Sequence, residues 1–275
     1  MNIRNILGLA LSSRGGQFFD LTIGGISITD VQPLGNWLTP GVTKAGRLSF
    51  CGIARGKKVK VYSVFSPGQV KLRQAVSEIP FKHFSFPEII CSNDNFVVER
   101  WVEGNSSTAA ELHKKDSVAS IIQELHDATA SIAPEWLEDS PFCYFRDYLI
   151  FRLERWRAVP EVTEFINNWM EIHDSLEQKL PIRLCHPDLT TRNMIQCASS
   201  GRLYVIDNEL LGLGRGWILD WHNASLSNLA TSKVANQSDL SDFLELSWQL
   251  RKLGSLLDAY DYQAVQQLLA THTIR

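Results

Sequence analysis

The sequence predicts an α+β fold of two lobes, the first rich in strands and the second mainly helical. Before residue 100, apolar and polar residues repeatedly alternate with the two-residue period of a half-buried strand. After residue 104, apolar residues recur three and four positions apart, the spacing of an amphipathic helix. A short island of β pattern, residues 194–206, interrupts the helical part. These observations divide the chain into lobes of residues 1–100 and 101–275.

The first lobe contains the patterns of strands, one helix and a hairpin. We expect strands at residues 25–34, 47–54 and 57–65, a helix at 69–79, and a hairpin within 86–104 that turns at 93–95. The lobes join near residues 99–104. Because ligands commonly bind between two lobes, we expect a binding cleft beside this connection.

The second lobe combines helical patterns with the β island. The helices are expected at residues 118–132, 145–158, 162–180 and 239–269. In the island, MIQC (194–197) and RLYVI (202–206) flank the turn ASSG, in which Gly201 can adopt a positive φ. The island is therefore predicted to form an antiparallel hairpin.

Composition excludes several classes of function. The formal charge is only −3 and no long run of one sign occurs, so neither nucleic-acid binding nor attraction to a membrane surface is indicated. The five cysteines form no C-x-x-C pair, which favours reduced thiols and a cytoplasmic location. The apolar run at residues 6–11 is far too short to span a bilayer, so no membrane insertion is expected. Nothing in the sequence indicates an oligomeric state.

Three oxygen-bearing side chains are predicted to converge at the open end of the hairpin. Asn193 enters its first strand and Asp207 leaves its second, and facing Cα atoms of such a pair lie roughly 4.5–5.5 Å apart. An amide oxygen beside a carboxylate suits Mg²⁺. Asp188 lies five residues before Asn193 in a polar loop that must bend toward the same point. A proton-accepting carboxylate beside a cation site is what phosphoryl transfer requires.

Three segments before and after the hairpin resemble one family. HPDLTTRN (186–193) resembles the H-x-D-x-x-x-x-N loop of the aminoglycoside phosphotransferase and choline kinase family, small-molecule kinases with a protein-kinase-like fold. VIDNE (205–209) is similar to their metal-binding segment, in a D-x-E form closest to the choline and ethanolamine kinases. GLGRGWILDW (212–221) is similar to the stretch that ends in a supporting aspartate, here Asp220.

The resemblance implies an ATP- and Mg²⁺-dependent phosphotransferase acting on an alcohol group. It makes Asp188 the catalytic base and makes Asn193 and Asp207 the metal ligands. The acceptor stays open among choline-, ethanolamine-, amino-alcohol-, sugar- and aminoglycoside-like molecules, as does GTP in place of ATP. His186 and Asp220 are expected to support the loop structurally. Zinc is disfavoured, because Cys185 and His186 have no second Cys/His pair nearby.

The resemblance also implies residues that bind the nucleotide, although the motifs in this region match the family less closely. VKVYS (59–63) resembles the strand with the phosphate-binding lysine, which is Lys60, with Lys58 on the same face as a rival. The family's helical glutamate falls on Gln74, so Lys60 is expected either to pair with Glu78 or to lack a carboxylate partner. The remaining candidates are the adenine-binding backbone and the nucleotide loop: Glu99, Arg100, Trp101 and Val102, and Gly35, Gly41 and Thr43.

The acceptor-binding residues remain open in the sequence. Trp217, Trp221 and Trp248 either pack in the core or form an aromatic box for a quaternary ammonium. Glu209 and Asp242 are acidic candidates for a cationic acceptor. A second class of function is a nucleotide-binding pseudokinase or regulatory module with little turnover, which the irregular nucleotide loop and the missing glutamate at position 74 favour.

Overall fold

In the computed structural model, the first part of the chain forms one antiparallel six-stranded sheet of order β1-β2-β3-β4-β6-β5. Its strands are β1 Phe19–Ile23, β2 Ile26–Pro33, β3 Ser49–Ala54, β4 Lys57–Ser63, β5 Ile89–Asn93 and β6 Phe96–Arg100. The structure describes residues 19–34, 48–64, 66–108, 112, 117–132, 150, 153–176, 181–186, 188–214 and 238–271.

Strand β4 has apolar contacts on both faces of this sheet. Val59 and Val61 belong to a core with the inner residues of β1, β2 and β3. Tyr62, on the opposite face, packs with Val70 of helix α1, Pro67–Ser77. Ser66 caps this helix by accepting from the Gln69 N–H, and a proline follows at the first helical position. Period two along β4 thus places Lys60 on the same face as Tyr62.

The predicted elements of this region are confirmed, with shifted ends. The three strands, the helix and the hairpin all form, although the helix begins and ends two residues earlier than the pattern indicates. Strand β1 was not predicted. It is joined to β2 by Gly24 and Gly25, which both have positive φ, and this Gly-Gly pair is the signal that identifies the hairpin.

The second part of the chain is mainly helical around one large apolar core. Its longer described helices are α2 Ser117–Ala128, α3 Pro160–Leu176, α4 Ser238–Asp258 and α5 Tyr262–Ala270. Leu125, Trp169 and Leu250 are fully buried in this core. The Trp169 Nε1–H also donates to Ser247 Oγ at 2.8 Å, which ties α3 to α4.

Three helix predictions need correction. The single helix expected at 239–269 is two helices, because Tyr260 adopts a φ of 56° and Asp261 caps α5 by accepting from Ala264 N. The pattern at 118–132 ends in a 3₁₀ turn, Thr129–Ser131. Half of the pattern at 145–158 falls outside the described residues, and its described end contains a 3₁₀ turn, Glu154–Trp156.

The predicted hairpin forms and is extended by a third strand. Strand β9, Met194–Cys197, pairs with β10, Leu203–Val205, and β7, Gly104–Ser106, pairs with the other edge of β9. A Cβ at Gly104 would collide with the Gln196 carbonyl oxygen, so this crossing requires glycine. Gly201 has the expected positive φ, 64°. Strands β8, Arg183–Cys185, and β11, Gly212–Gly214, form a second small sheet.

Arg202 ties the hairpin to the segment that follows α1. Its guanidinium donates to the carbonyl oxygens of Phe81, Lys82 and Phe84 and to Ser85 Oγ. Ser85 also exchanges backbone hydrogen bonds with β10. The hairpin is therefore connected by polar contacts to the segment between α1 and β5, while a lobe boundary at residue 100 stays a prediction. Among the described helices, none is both long and apolar enough to cross a membrane.

Candidate active site

A cleft of about 420 Å³ lies between the sheet and the hairpin. Lys60, Asp188, Asp207 and Glu209 line it, together with the connection at residues 100–104 that joins β6 to β7. The structure therefore brings the lysine predicted for the phosphates and the two predicted carboxylates to one cavity.

The ends of the hairpin meet as the β pattern indicates, with the register displaced by one residue. The Ile206 N–H donates to the Asn193 carbonyl oxygen at 2.9 Å, so Ile206 rather than Asp207 faces Asn193. The preceding loop bends back, because the buried Asn193 side chain donates through Nδ2 to the Asp188 carbonyl oxygen at 2.8 Å. The predicted base and the two predicted cation ligands are thus linked by the hairpin and its loop.

Asp207 occupies an uncommon backbone conformation. Its φ of 62° and ψ of 47° place it in the left-handed region, which few residues other than glycine adopt and which Asp tolerates better than most. A 3₁₀ turn, Asn208–Leu210, follows at once. This sharp turn ends the hairpin and directs the carboxylates of Asp207 and Glu209 to the same ammonium group.

That ammonium belongs to Lys60, which is 8% exposed. Its Nζ lies 2.5 Å from Asp207 Oδ1 and 2.9 Å from Glu209 Oε1. Burial alone lowers the pKa of Lys60, but the attraction and hydrogen bonds of Glu209 and Asp207 outweigh it and raise the pKa above its ordinary range. Ser49 Oγ also donates to Glu209 Oε1 at 3.3 Å. Lys60 is therefore a charged lysine between two carboxylates.

Both expectations for the partner of Lys60 were wrong. Glu78 is exposed and lies at the C-cap of α1, where the helix has ended. Gln74 is also exposed and donates to Ser92 Oγ. The rival lysine, Lys58, lies over the ring of Trp101, 3.9 Å from its centroid, and does not line the cleft. The carboxylate partners of Lys60 come from the turn after the hairpin, not from the helix.

Helix α1 instead contributes a cation to a second, fully buried group. Arg73 Nε donates to Glu99 Oε1 at 2.8 Å, and the two side chains are 3% and 1% exposed. Tyr62 Oη donates to the same oxygen at 2.7 Å, and Asn208 Nδ2 donates to both carboxylate oxygens at 3.3 Å. Burial, followed by the charge of Glu99, raises the pKa of Tyr62 well above its usual value. This network connects α1 and β6 to the residue beside Asp207.

The connection expected to receive adenine is part of the cleft, but two of its backbone N–H groups already donate hydrogen bonds within the protein. The Arg100 N–H donates to the Glu88 carbonyl oxygen at 2.8 Å, and the Trp101 N–H donates to the Lys58 carbonyl oxygen at 3.1 Å. Arg100, Trp101 and Val102 all line the cavity. The Glu99 side chain is paired with Arg73. Any contact of Glu99 with adenine would therefore be through its backbone, as the prediction states.

His186 lies beneath the loop. It is fully buried, and its Nε2 lies 3.0 Å from the Ile206 carbonyl oxygen. Burial lowers the pKa of His186 against the opposing attraction of Asp188, which favours a neutral ring whose Nε2–H donates to that carbonyl. The contact joins the start of the loop to the end of β10, the geometry expected of a structural support.

Arg251 is a partner of the predicted base that sequence patterns did not indicate. Its Nη2 donates to Asp188 Oδ1, and the side chains of Arg251 and Asp188 are 16% and 33% exposed. The guanidinium carbon of Arg251 lies 5.9 Å from the ring centroid of Trp248, one turn earlier on α4. No local motif distinguishes this arginine from a solvated helical one, because its partner lies 63 positions away.

Several predicted residues fall outside the part of the chain that the structure describes. They are Gly35, Gly41 and Thr43 of the nucleotide loop, and Trp217, Asp220 and Trp221 after the hairpin. Their roles stay predictions. Asp242 lies within α4, but its side chain is also outside the described part. Glu209, expected to serve a cationic acceptor, instead contacts Lys60.

The residues present fit a Mg²⁺ ion. Because Asn193 Nδ2 donates to a backbone carbonyl, its amide oxygen is the atom left to face a cation, and the Asp207 side chain is 45% exposed. Among the described residues, no three His, Cys, Asp or Glu side chains gather as a metal site. Mg²⁺ does not require such a group, since it binds through one or two carboxylates plus phosphates and water.

Comparisons with known proteins identify the fold. No protein-family model and no curated protein matches the chain. A solved structure of the aminoglycoside phosphotransferase APH(4)-Ia, a thermostable mutant in its apo form, matches with a TM-score of 0.54 and 12% identity over 89% of this chain and 92% of that one. Choline kinase LicA from Streptococcus pneumoniae matches with a TM-score of 0.54 and 15% identity over 98% and 99%. The GDP and kanamycin complex of APH(2")-IIia matches with a TM-score of 0.51 and 13% identity over 97% of this chain and 96% of that one.

At these identities the likeness establishes the architecture. The chain has the α+β, protein-kinase-like fold of the aminoglycoside phosphotransferases and choline kinase, as the two motifs around the hairpin predicted.

The Arg73–Glu99 pair gives a stability prediction. Glu99→Gln removes the charge that compensates a buried guanidinium, so we expect a loss of about 3–5 kcal/mol in the free energy of unfolding. The double variant Arg73→Gln/Glu99→Gln should lose less, because no charge is left unpaired. Glu88→Gln breaks an exposed ion pair with Arg100 and should cost under about 1 kcal/mol. Urea unfolding measures all three, and equal losses for Glu99→Gln and Glu88→Gln would contradict the network.

Proposed function

We propose that the protein is an ATP- and Mg²⁺-dependent phosphotransferase that acts on a hydroxyl group of a small acceptor. The observation that supports this most is the meeting of Lys60, Asp188 and Asp207 in one cleft, with Asn193 hydrogen-bonded to the loop of Asp188. A cation for the phosphates, oxygen ligands for a metal and a carboxylate for the proton are the parts that phosphoryl transfer needs.

The nucleotide is proposed to bind with its base at the connection of residues 100–104 and its phosphates toward Lys60. Because two amides of the connection already donate within the protein, base recognition falls to its carbonyl oxygens and to the backbone of Val102. The structural neighbours support a nucleotide: they include an APH(4)-Ia variant with ADP and hygromycin B and another with AMP-PNP and hygromycin B. One neighbour binds GDP, so GTP is a possible donor too.

Lys60 is proposed to keep one carboxylate partner and release the other. In the structure it neutralises both Asp207 and Glu209. With Mg-nucleotide bound, Asp207 and Asn193 would hold the cation, and Lys60 would contact phosphate oxygens while Glu209 continued to orient it. Mg²⁺ supplies charge neutralisation on the β- and γ-phosphates. Glu209 thereby takes the part that the family assigns to a helical glutamate.

Asp188 is proposed to accept the proton of the acceptor hydroxyl. Its carboxylate is one-third exposed in the cleft, where a hydroxyl can approach it. The acceptor is proposed to be a choline-, ethanolamine- or amino-alcohol-like, sugar-like or aminoglycoside-like molecule. Among the structural neighbours, one is a choline kinase and another binds kanamycin.

A second candidate is a nucleotide-binding pseudokinase with little turnover. It is favoured by one observation: the two groups that would act on the substrates both have protein partners, Lys60 on Asp207 and Asp188 on Arg251. The two candidates differ in turnover, so ADP release from purified protein across a panel of hydroxylated metabolites separates them. Nucleotide binding without release above the no-acceptor rate would favour the pseudokinase.

Asp207→Ala should weaken Mg-nucleotide binding itself. We expect at least about a tenfold rise in the Kd for Mg-ADP, with a smaller change for ADP in EDTA, because the variant loses a metal ligand. Calorimetric titration with and without Mg²⁺ measures both. Glu161→Ala, an exposed carboxylate in the first turn of α3, is the matched control. Equal affinity of Asp207→Ala and the control for Mg-ADP would remove Asp207 from the metal site.

Asp188→Asn should separate chemistry from binding. Loss of the proton-accepting carboxylate should lower kcat by roughly 10²–10⁴-fold, while the Kd for Mg-ADP changes little. Coupled ADP-release assays with the best acceptor of the panel give kcat, and the titration above gives the Kd. Unchanged turnover in Asp188→Asn would refute its assignment as the base.

A further inference from the structure

The candidate base has a cationic neighbour supplied by a distant helix. Arg251 of α4 donates to the carboxylate of Asp188, which lines the cleft, and the side chains of Arg251 and Asp188 are 16% and 33% exposed. The guanidinium of arginine is planar and presents five N–H donors in a fixed fork. A group of this shape can contact two neighbouring anionic groups at once.

Helix α4 holds Arg251 in place. One side of the helix is buried in the large core, where Leu250, Leu253 and Leu257 are each at most 2% exposed. Ser247 accepts the hydrogen bond of Trp169 from α3. Arg251 thus projects from a helix whose rotation and sliding are restricted by the core, which suits a preorganised charge.

The chemistry proposed above places negative charge within reach of Arg251. The acceptor oxygen must lie about 2.6–3.2 Å from the Asp188 carboxylate and about 3–3.5 Å from the γ-phosphorus. The oxygens of the transferring group are then only a few ångströms from a carboxylate that Arg251 already touches. A guanidinium extends far enough to contact both.

We propose that Arg251 is a catalytic residue that binds the transferring γ-phosphoryl group while it holds Asp188. This proposal rests on the proposed phosphotransferase function. In the step, the acceptor oxygen forms a bond to the γ-phosphorus and the bond to the β–γ bridging oxygen breaks, leaving its electron pair on the nucleoside diphosphate. The hydroxyl proton passes to Asp188. Arg251 keeps its proton and stabilises the charge on the phosphoryl oxygens.

Mg-ADP with aluminium fluoride, a mimic of the planar phosphoryl group, tests this without knowledge of the acceptor. We expect fluoride to tighten Mg-ADP binding to the protein, and Arg251→Gln to reduce that gain roughly 100-fold while binding of Mg-ADP alone stays within about twofold. Added guanidinium ion should restore part of the gain. Lys252→Gln, at the neighbouring exposed cation, should behave like the unsubstituted protein.

Two further variants distinguish contact with the phosphoryl group from mere support of Asp188. If Arg251 acted only through that carboxylate, Arg251→Gln would have no effect in an Asp188→Asn background. We expect the reduction to persist there. Thermal melting of each variant establishes that the fold is retained. Arg251→Lys keeps the charge without the fork, so its gain in Mg-ADP affinity on adding aluminium fluoride should lie between that of the unsubstituted protein and that of Arg251→Gln.

The outcomes are separable. If the unsubstituted protein binds no Mg-ADP, the proposed phosphotransferase function fails and this proposal with it. If Mg-ADP binds but fluoride adds no affinity, or adds as much to Arg251→Gln as to the unsubstituted protein, the role of Arg251 alone is overturned. A reduction that disappears in the Asp188→Asn background also overturns it and makes Arg251 a support for the base.

Discussion

The candidate site depends on the ion pairs that Lys60 forms with Asp207 and Glu209. Removing an ammonium group from water costs several kcal/mol unless nearby carboxylates compensate it, and Lys60 is only 8% exposed. The lysine lies at the centre of the six-stranded sheet, whereas both carboxylates lie in the turn after the hairpin. The same contacts therefore connect two parts of the molecule and hold a positive charge at the wall of the cleft.

The buried Arg73–Glu99 pair explains why that turn controls the lysine. Helix α1 presents an arginine to Glu99 of β6, and Asn208 completes the network. Because the helix contributes a cation, it has no carboxylate to offer Lys60, and the partner comes from Glu209 instead. Asn208 lies between the two carboxylates in sequence, so its bond to Glu99 fixes the turn that positions both. The left-handed conformation of Asp207 is maintained within this support.

Local patterns were enough to predict the hairpin, and long-range contacts were not predictable. The strands β9 and β10 are short, mainly apolar runs, and Gly201 marks their turn, so the hairpin could be predicted from neighbouring residues alone, although its register is displaced by one residue. The pairing of Lys60 with Asp207 joins residues 147 positions apart, and that of Arg251 with Asp188 joins residues 63 apart. No periodicity encodes such contacts. The helix break at Tyr260 was missed for a related reason, since no Gly or Pro marks it.

A crystal structure with ADP and Mn²⁺ in place of Mg²⁺ tests the exchange at Lys60 most directly. The anomalous signal of manganese should lie within metal–oxygen bonding distance of Asn193 and Asp207. The Lys60 ammonium should then contact phosphate and Glu209 but no longer Asp207. A manganese peak away from both ligands, or an intact Lys60–Asp207 pair with the nucleotide bound, would contradict the account.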